Sequence, residues 1–430
     1  MMAEKKKILV LGSDYGTLDT VKEAHKMGLY VIVTDTMETS PARDEADETW
    51  PISTTDIDLL VDRCRKVGIA GVVYGASDFN IGNGRKLCKK LGLPHYCPDD
   101  TTWENACNKH VFKETCKKVG APVATDFKLS EDLTKEELGK IKYPVVVKPV
   151  DKSGNRGMSY CANEEQLIKA YKLAREISDN PNIIVERQLH GPEYCVNYVI
   201  ANGEARLLYF SSEHNEPGYP HNMYSVINTT SCHLKQYIAT VNDRVIDVFK
   251  QAGCKDGIAW VETILDEDGN FYLLEMGHRY GGEMTYVPYK DVCGFNSIRF
   301  MIEIALGMHH TTADLPVSLN HAYKEIAASH FLFSKKASII GKLEGLDKIS
   351  RLKNVYIDFP KGVGASTRYR ASFGIIRIFA HDIEDLCETI KYINSNLVVE
   401  SPQGENLIVY FNDFDSLRHE YFKGLAEFNI

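Results

Sequence analysis

The 430-residue chain carries a formal net charge of −9, with 44% hydrophobic and 25% charged residues. These values exclude a disordered or fibrous chain, and the length calls for three or four subdomains, since one core rarely serves more than roughly 200 residues. No basic run longer than Lys5-Lys6-Lys7 occurs, which removes a nucleic-acid footprint. The eleven cysteines contain no Cys-x-x-Cys pair and often sit at apolar positions such as Cys88, Cys195 and Cys387, so they read as buried reduced thiols. A first strand begins within eight residues, and no apolar window approaches about 18 residues, so a cytoplasmic location and no membrane partner are expected.

The opening stretch KKKILVLGSDYGTLDTVKEAHKMGLYVIVTD reads as an apolar strand, a glycine turn, an amphipathic helix and a second apolar strand ending at Asp35. Helices DIDLLVDRCRKVG and GNGRKLCKKLG alternate with strand GVVYGA, and runs apolar on both faces predict a parallel sheet covered by helices. This is a Rossmann-like unit within residues 1–108. Its glycine turn is no nicotinamide fingerprint, because Asp14 and Thr17 stand where glycines are needed.

Residues 109–190 read as a compact α+β lid, with strand YPVVVKPV followed by strand GMSYCA, helix NEEQLIKAYKLAREIS and strand NIIVERQL. In residues 191–322 strands dominate, with hairpins turned at Asn202-Gly203 and Asp268-Gly269. Between the hairpins lie the loop SSEHNEPGYPHNMYS and one helix, CHLKQYIATVNDRVIDVFKQAG. Residues 323–430 form a further α+β unit, so the fold class is α/β and α+β.

Three groupings carry chemistry. Lys148 ends an apolar strand and is followed by Ser153, Gly154, Arg156, Gly157 and Met158, a cation beside a short glycine turn whose N–H groups can meet phosphate oxygens. Glu186, Leu189 and Glu193 lie on a segment joining two subdomains, where backbone can face a purine and a carboxylate can accept from ribose hydroxyls. Glu262 and Glu275 lie on two strands of one hairpin at or near facing positions; like charges so placed repel unless a cation bridges them, and hard oxygen ligands near phosphates favour Mg²⁺. Arg279 follows in a glycine-rich loop, where a guanidinium can hold a carboxylate, phosphate or acyl-phosphate oxygen. Asp266 and Asp268 read as solvated turn residues.

In this order the motifs resemble the ATP-grasp superfamily over nearly the whole chain, from NACNKHVFK through PVVVKP, SGNRGM and VERQLHGPE to the Glu262/Glu275 hairpin and R-x-G-G. The resemblance implies a Rossmann-like pre-ATP-grasp domain, a two-part ATP-grasp fold and a C-terminal α+β domain. It implies that Lys109 and Lys148 contact ATP phosphates under the Ser153–Met158 loop, that Glu186 and Leu189 meet the adenine edge and that Glu193 meets the ribose. Glu262 and Glu275 would hold Mg²⁺, with Mn²⁺ as a substitute, and Arg279 would stabilise a phosphorylated intermediate.

Among such enzymes, the R-Y-G-G after E-M-G-H is most similar to amino-acid ligases and carbamoyl-phosphate-synthase-like members, and the C-terminal region also resembles biotin carboxylase and purine-pathway enzymes. That implies a carboxylate–amine ligase acting on small molecules through an acyl phosphate. A formate- or bicarbonate-activating enzyme and a non-catalytic nucleotide-binding protein are the alternatives. A homodimer is expected by the same likeness. One departure stands out: Gly277 occupies the place of a metal-ligating Asn. Substrate contacts are sought in the loop residues His214, Glu216, Tyr219, His221 and Tyr224, and in His278 and Glu283.

Overall fold

The computed structural model describes residues 5–38, 40–97, 99–152, 156–219, 223–316 and 323–430. The first unit is a parallel sheet of β1 (Lys7–Leu11), β2 (Tyr30–Thr34), β3 (Glu48–Trp50) and β4 (Ile69–Tyr74), in the order β3-β2-β1-β4. Ile8, Leu9, Val10, Val31, Ile32 and Val33 are all fully buried, as runs apolar on both faces require. Asp35 accepts from the Ser13 hydroxyl at 2.9 Å and the Met37 N–H at 2.9 Å, so its carboxylate closes the turn it belongs to.

The second unit pairs β5 (Val145–Pro149) with β6 (Ser159–Cys161) and β7 (Ile183–Arg187), antiparallel, in the order β6-β5-β7. Helix Glu164–Ile177 packs Leu167, Ala170 and Ala174 onto Val145, Val147 and Val185, giving this unit its own small core.

The third unit is one antiparallel sheet of eight strands. It contains β8 (Glu193–Ala201), β9 (Glu204–Asn215), β10 (Tyr224–Thr229), β11 (Gly257–Leu265), β12 (Phe271–Gly277) and β13 (Ile326–Phe333). Past two short strands, β14 (Ser338–Ile339) and β15 (Lys342–Glu344), come β16 (Val355–Asp358), β17 (Ser366–Thr367), β18 (Ser372–Ala380) and β19 (Val398–Glu400). The order is β12-β11-β8-β9-β10-β13-β18-β16, while β14 pairs with β17 and β15 with β19. The boundary expected between residues 322 and 323 thus separates strands of a single sheet.

Alternation along β8, β9 and β11 gives this sheet two unlike faces. Tyr194 and Phe210 lie on one, and with Phe271 and Tyr237 they form an aromatic cluster whose ring centroids are 4.5 to 6.4 Å apart. Helices Leu234–Thr240 and Asn242–Gln251 cover it. They were expected as one helix; the chain breaks where Val241 leaves the helical region at φ −132°, and the Thr240 hydroxyl bonds back to the Gln236 carbonyl at 2.8 Å. The opposite face carries Glu193, Cys195 and Asn197 of β8, Ser211 and Glu213 of β9, and Glu262 of β11.

The turn between β11 and β12 corrects one expectation. Asp266 is buried, accepting from Arg187 Nη1 at 2.8 Å and from the His190 N–H at 2.8 Å, because the hairpin tip packs against the chain leaving the lid. Asp268 stays on the exposed side and caps the turn through the Asn270 N–H. Among the described residues no helix is long and apolar enough to cross a membrane.

The aromatic cluster fixes the position of the carboxylate face behind it. Phe210→Ala is expected to cost about 3–5 kcal/mol in urea unfolding, the range for truncating a buried aromatic side chain.

Candidate active site

A cleft of about 340 Å³ opens between the lid sheet and the polar face of the central sheet. It is lined by Lys109, Lys148, Arg156, Met158, Glu186, Leu189, Glu193, Glu262 and Glu275 among the residues singled out from sequence, with Tyr160 and Tyr224 beside them. Gly157 lies between two of these at φ +78°, a left-handed conformation that favours glycine. Ser153, Gly154 and His221 lie outside the described residues.

The lid side is a buried charge network. Val146 pairs with Glu186, so Lys148, two residues on, shares a face with it and reaches Glu186 Oε1 at 2.6 Å. Lys113, four residues after Lys109 on helix Lys109–Val119, contacts the other Glu186 oxygen and also Asp126. Burial pushes the Glu186 pKa up, but Lys148 and Lys113 outweigh it and hold the carboxyl at about 2. Burial likewise works against the Lys148 charge, and Glu186 outweighs it. The Glu186 side chain, expected at an adenine edge, is therefore committed to two lysines.

On the sheet side, Glu262 and Glu275 are register partners across the β11–β12 pair. Lys109 makes an ion pair with Glu275. Burial opposes ionisation of Glu275, yet Lys109 keeps its pKa below the usual carboxylate range, whereas Glu262, half-buried and facing Glu275, is pushed well above that range by desolvation and by its partner's charge. Glu213 is driven the same way by burial and by Glu262 and Glu193. Tyr224 donates its phenol to Glu193. Two facing carboxylates, one of them paired with Lys109, fit a hard divalent ion.

Arg279 lies outside the main cleft, in an adjoining recess of about 150 Å³ that shares Lys109, Lys152 and Glu275 with it. Its Nε and Nη2 bind both oxygens of Asp78 at 2.6 and 3.0 Å, and the guanidinium lies 5.0 Å from the centroid of the Trp260 ring. Asp78 opens helix Asp78–Leu91 of the first unit, so that unit contributes to the recess. Gly277 pairs with Trp260, and a Cβ there would collide with the indole. Glycine at this position admits the ring on which Arg279 rests.

The remaining sequence candidates are dispersed. His278 is buried, edge-on to Tyr96, with Nε2 3.0 Å from the Asp256 carbonyl, and burial lowers its pKa to about 4. Glu283 is buried beyond Cys195 and accepts from Tyr209 and Thr285, each at 3.3 Å. His214 is on the aromatic face, paired with Glu420 at 2.7 Å, and Glu216 accepts from the Asn412 N–H at 2.6 Å. Lys113, Glu213 and Asp78 escaped the sequence reading. The i, i+4 spacing of Lys113 from Lys109 was the available signal for the first, and the lone acid in YFSSEHN for the second.

Residues 108–312 match the family model of the carbamoyl-phosphate synthase L chain, ATP binding domain. The 2-oxoglutarate carboxylase small subunit of Hydrogenobacter thermophilus is 24% identical over 327 residues, which cover 70% of this chain and 67% of that protein. The carbamoyl phosphate synthase large chain of Clostridium botulinum is 24% identical over 316 residues, but the match spans 29% of its length. The crystal structure of an L-amino acid ligase from Bacillus licheniformis superposes with a TM-score of 0.76 at 19% identity, over 93% of this chain and 100% of that one. The biotin carboxylase domain of the Hydrogenobacter carboxylase, solved with MgADP, ADP and bicarbonate, gives 0.73 at 18% identity, over 92% and 91%. At these identities the structural likeness establishes the fold.

The two halves of the cleft have opposite effects on stability. The depressed Glu186 pKa stabilises the fold above the unfolded value of 4.5, an effect lost as pH falls toward about 2; the raised Glu262 pKa costs stability at neutral pH. In EDTA at pH 7, Glu186→Gln is expected to destabilise by about 3–5 kcal/mol through two unpaired lysines, and Glu262→Gln to raise the melting temperature. Thermal melts of both variants from pH 7 to pH 2 check the signs.

Proposed function

We propose that the chain is an ATP-dependent carboxylate–amine ligase of the ATP-grasp superfamily that yields ADP and phosphate. The observation that carries this reading is the facing pair Glu262/Glu275, compensated only in part by Lys109, in a cleft that Lys148 also lines.

In this reading the carboxylate substrate attacks the γ-phosphorus of ATP, ADP departs, and the resulting acyl phosphate is captured at its carbonyl carbon by an amine as phosphate leaves. Lys109 and Lys148 offset phosphate charge, with Arg156 and Met158 beside them in the cleft lining. Leu189 supplies an apolar wall for the base and Glu193 accepts from the ribose hydroxyls. Glu262 and Glu275 would hold Mg²⁺, which when bound would neutralise phosphate charge. Gly277 offers no side-chain ligand beside them. Arg279 holds the acyl-phosphate oxygens, with Asp78 and Trp260 fixing its plane. The lid excludes water from the acyl phosphate.

A second reading, activation of bicarbonate or formate, draws support from the similarity to a carboxylase small subunit. Soluble small-molecule substrates, a homodimer and a cytoplasmic setting belong to the proposal in either case.

Phosphate release from purified protein with ATP, Mg²⁺ and pooled acids and amines is expected to require one acid and one amine together. Dependence on bicarbonate or formate alone selects the second reading, and no dependence on any pool defeats both. Glu275→Gln is expected to lower turnover at least 10³-fold (about 4 kcal/mol) while circular dichroism stays unchanged.

A further inference from the structure

In the ligase reading Lys148 offsets phosphate charge, yet in the structure its ammonium is bound to Glu186 Oε1 at 2.6 Å. The two side chains are only 11% and 7% exposed. A buried pair of this kind resists opening, because the partner that stays behind is left with an uncompensated charge out of water. A second lysine changes the balance.

Lys113 contacts the other oxygen of the same carboxylate. It comes from helix Lys109–Val119, which starts on Asn108, whose side-chain oxygen accepts from the His110 and Val111 N–H groups at 3.0 and 3.3 Å. Buried Phe112 and Cys116 anchor that helix in the core. One turn apart, Lys109 and Lys113 leave it on one side, the first to meet Glu275 of β12 and the second to meet Glu186 of β7.

Asp126 fixes Lys113 from a third direction. The segment around it runs beside β7, with the Phe127 N–H donating to the Val185 carbonyl at 2.8 Å and the Arg187 N–H to the Thr125 carbonyl at 3.0 Å. One Asp126 oxygen takes Lys113 and the other takes Lys117, the latter at 2.6 Å. The result is a chain of alternating charges, Lys148, Glu186, Lys113, Asp126 and Lys117. Of its three lysines only Lys148 lines the cleft, where Glu262 and Glu275 also act on its charge.

This chain of charges has one cation more than it has anions. If Lys148 turns to a phosphate, Glu186 keeps Lys113 and Asp126 keeps Lys117, so neither acid is stranded.

We infer that Lys113 is a positioning residue: by holding Glu186 it lets Lys148 exchange that carboxylate for a phosphate of the nucleotide. The inference rests on the nucleotide binding of the ligase reading and adds to it a residue that touches no substrate. Without Lys113, departure of Lys148 leaves Glu186 buried and unpaired, and a carboxylate so placed takes up a proton. Nucleotide binding then becomes coupled to pH at Glu186, a coupling that Lys113 suppresses.

Lys113→Met isolates the effect. In the empty variant Glu186 still has Lys148 and Asp126 still has Lys117, so the fold is kept. Binding of Mg²⁺ with a non-hydrolysable ATP analogue to the whole chain is followed calorimetrically at pH 6 and pH 8, in buffers of different ionisation heat. Relative to the wild type, Lys113→Met is expected to take up about one extra proton per nucleotide bound. Its affinity is expected to be at least tenfold weaker than that of the wild type at pH 8, with a smaller deficit at pH 6. Lys113→Arg is expected to behave as the wild type, and Lys113→Met/Glu186→Gln, with no acid left to strand, to lose the extra proton. Equal affinity and proton balance in the wild type and Lys113→Met overturns the inference. So does a deficit that is the same at both pH values, which marks a merely structural role, or an extra proton that persists in the double variant. A wild type that binds no nucleotide overturns the ligase reading itself, and the inference with it.

Discussion

Two carboxylates held face to face across a hairpin repel each other, and the rest of the site is arranged around that repulsion. The register of β11 and β12 sets Glu262 against Glu275. Lys109 answers one of the two charges, while burial and the facing Glu275 push the Glu262 pKa well above the usual carboxylate range. The structure therefore carries a standing electrostatic cost at one position. On the opposite wall, two lysines converge on Glu186 and are balanced there. The cleft runs between a compensated cationic wall and an undercompensated anionic floor, a field suited to a ligand whose phosphates face the wall and whose metal faces the floor.

How far the sequence anticipates this depends on the range of the contacts. Glu262 and Glu275 are legible because a tight Asp-Gly turn ties their spacing to a register. Lys148 is legible because a lone cation in a β-branched run has no local reason to be there. Asp78 is not, because its meaning comes from Arg279, 201 residues away. Glu213 is masked by the histidine beside it, although strand alternation puts Glu213 and His214 on opposite faces and only Glu213 on the polar one.

Two residues show how local rules mislead. Asp266 occupies a turn, where aspartate is ordinarily solvated, but tertiary packing brings Arg187 and the His190 N–H onto it. Gly277 looks, by family likeness, like a lost metal ligand. Its neighbours supply a different reason: the absent side chain makes room for Trp260, and Trp260 supports Arg279. A position that seems defined by what it lacks is defined by what crosses it.

That crossing has an optical consequence. The chain has three tryptophans, and each lies beneath an arginine: Trp50 under Arg63, Trp103 under Arg85 and Trp260 under Arg279. Only Trp260 belongs to the central sheet and lines the recess beside the cleft. Its indole senses the guanidinium directly, so any event that draws Arg279 from Asp78 toward a bound oxygen changes the field across that ring. The protein thus contains an intrinsic fluorophore beside the arginine proposed to hold the reactive intermediate, and its emission can be followed without any label.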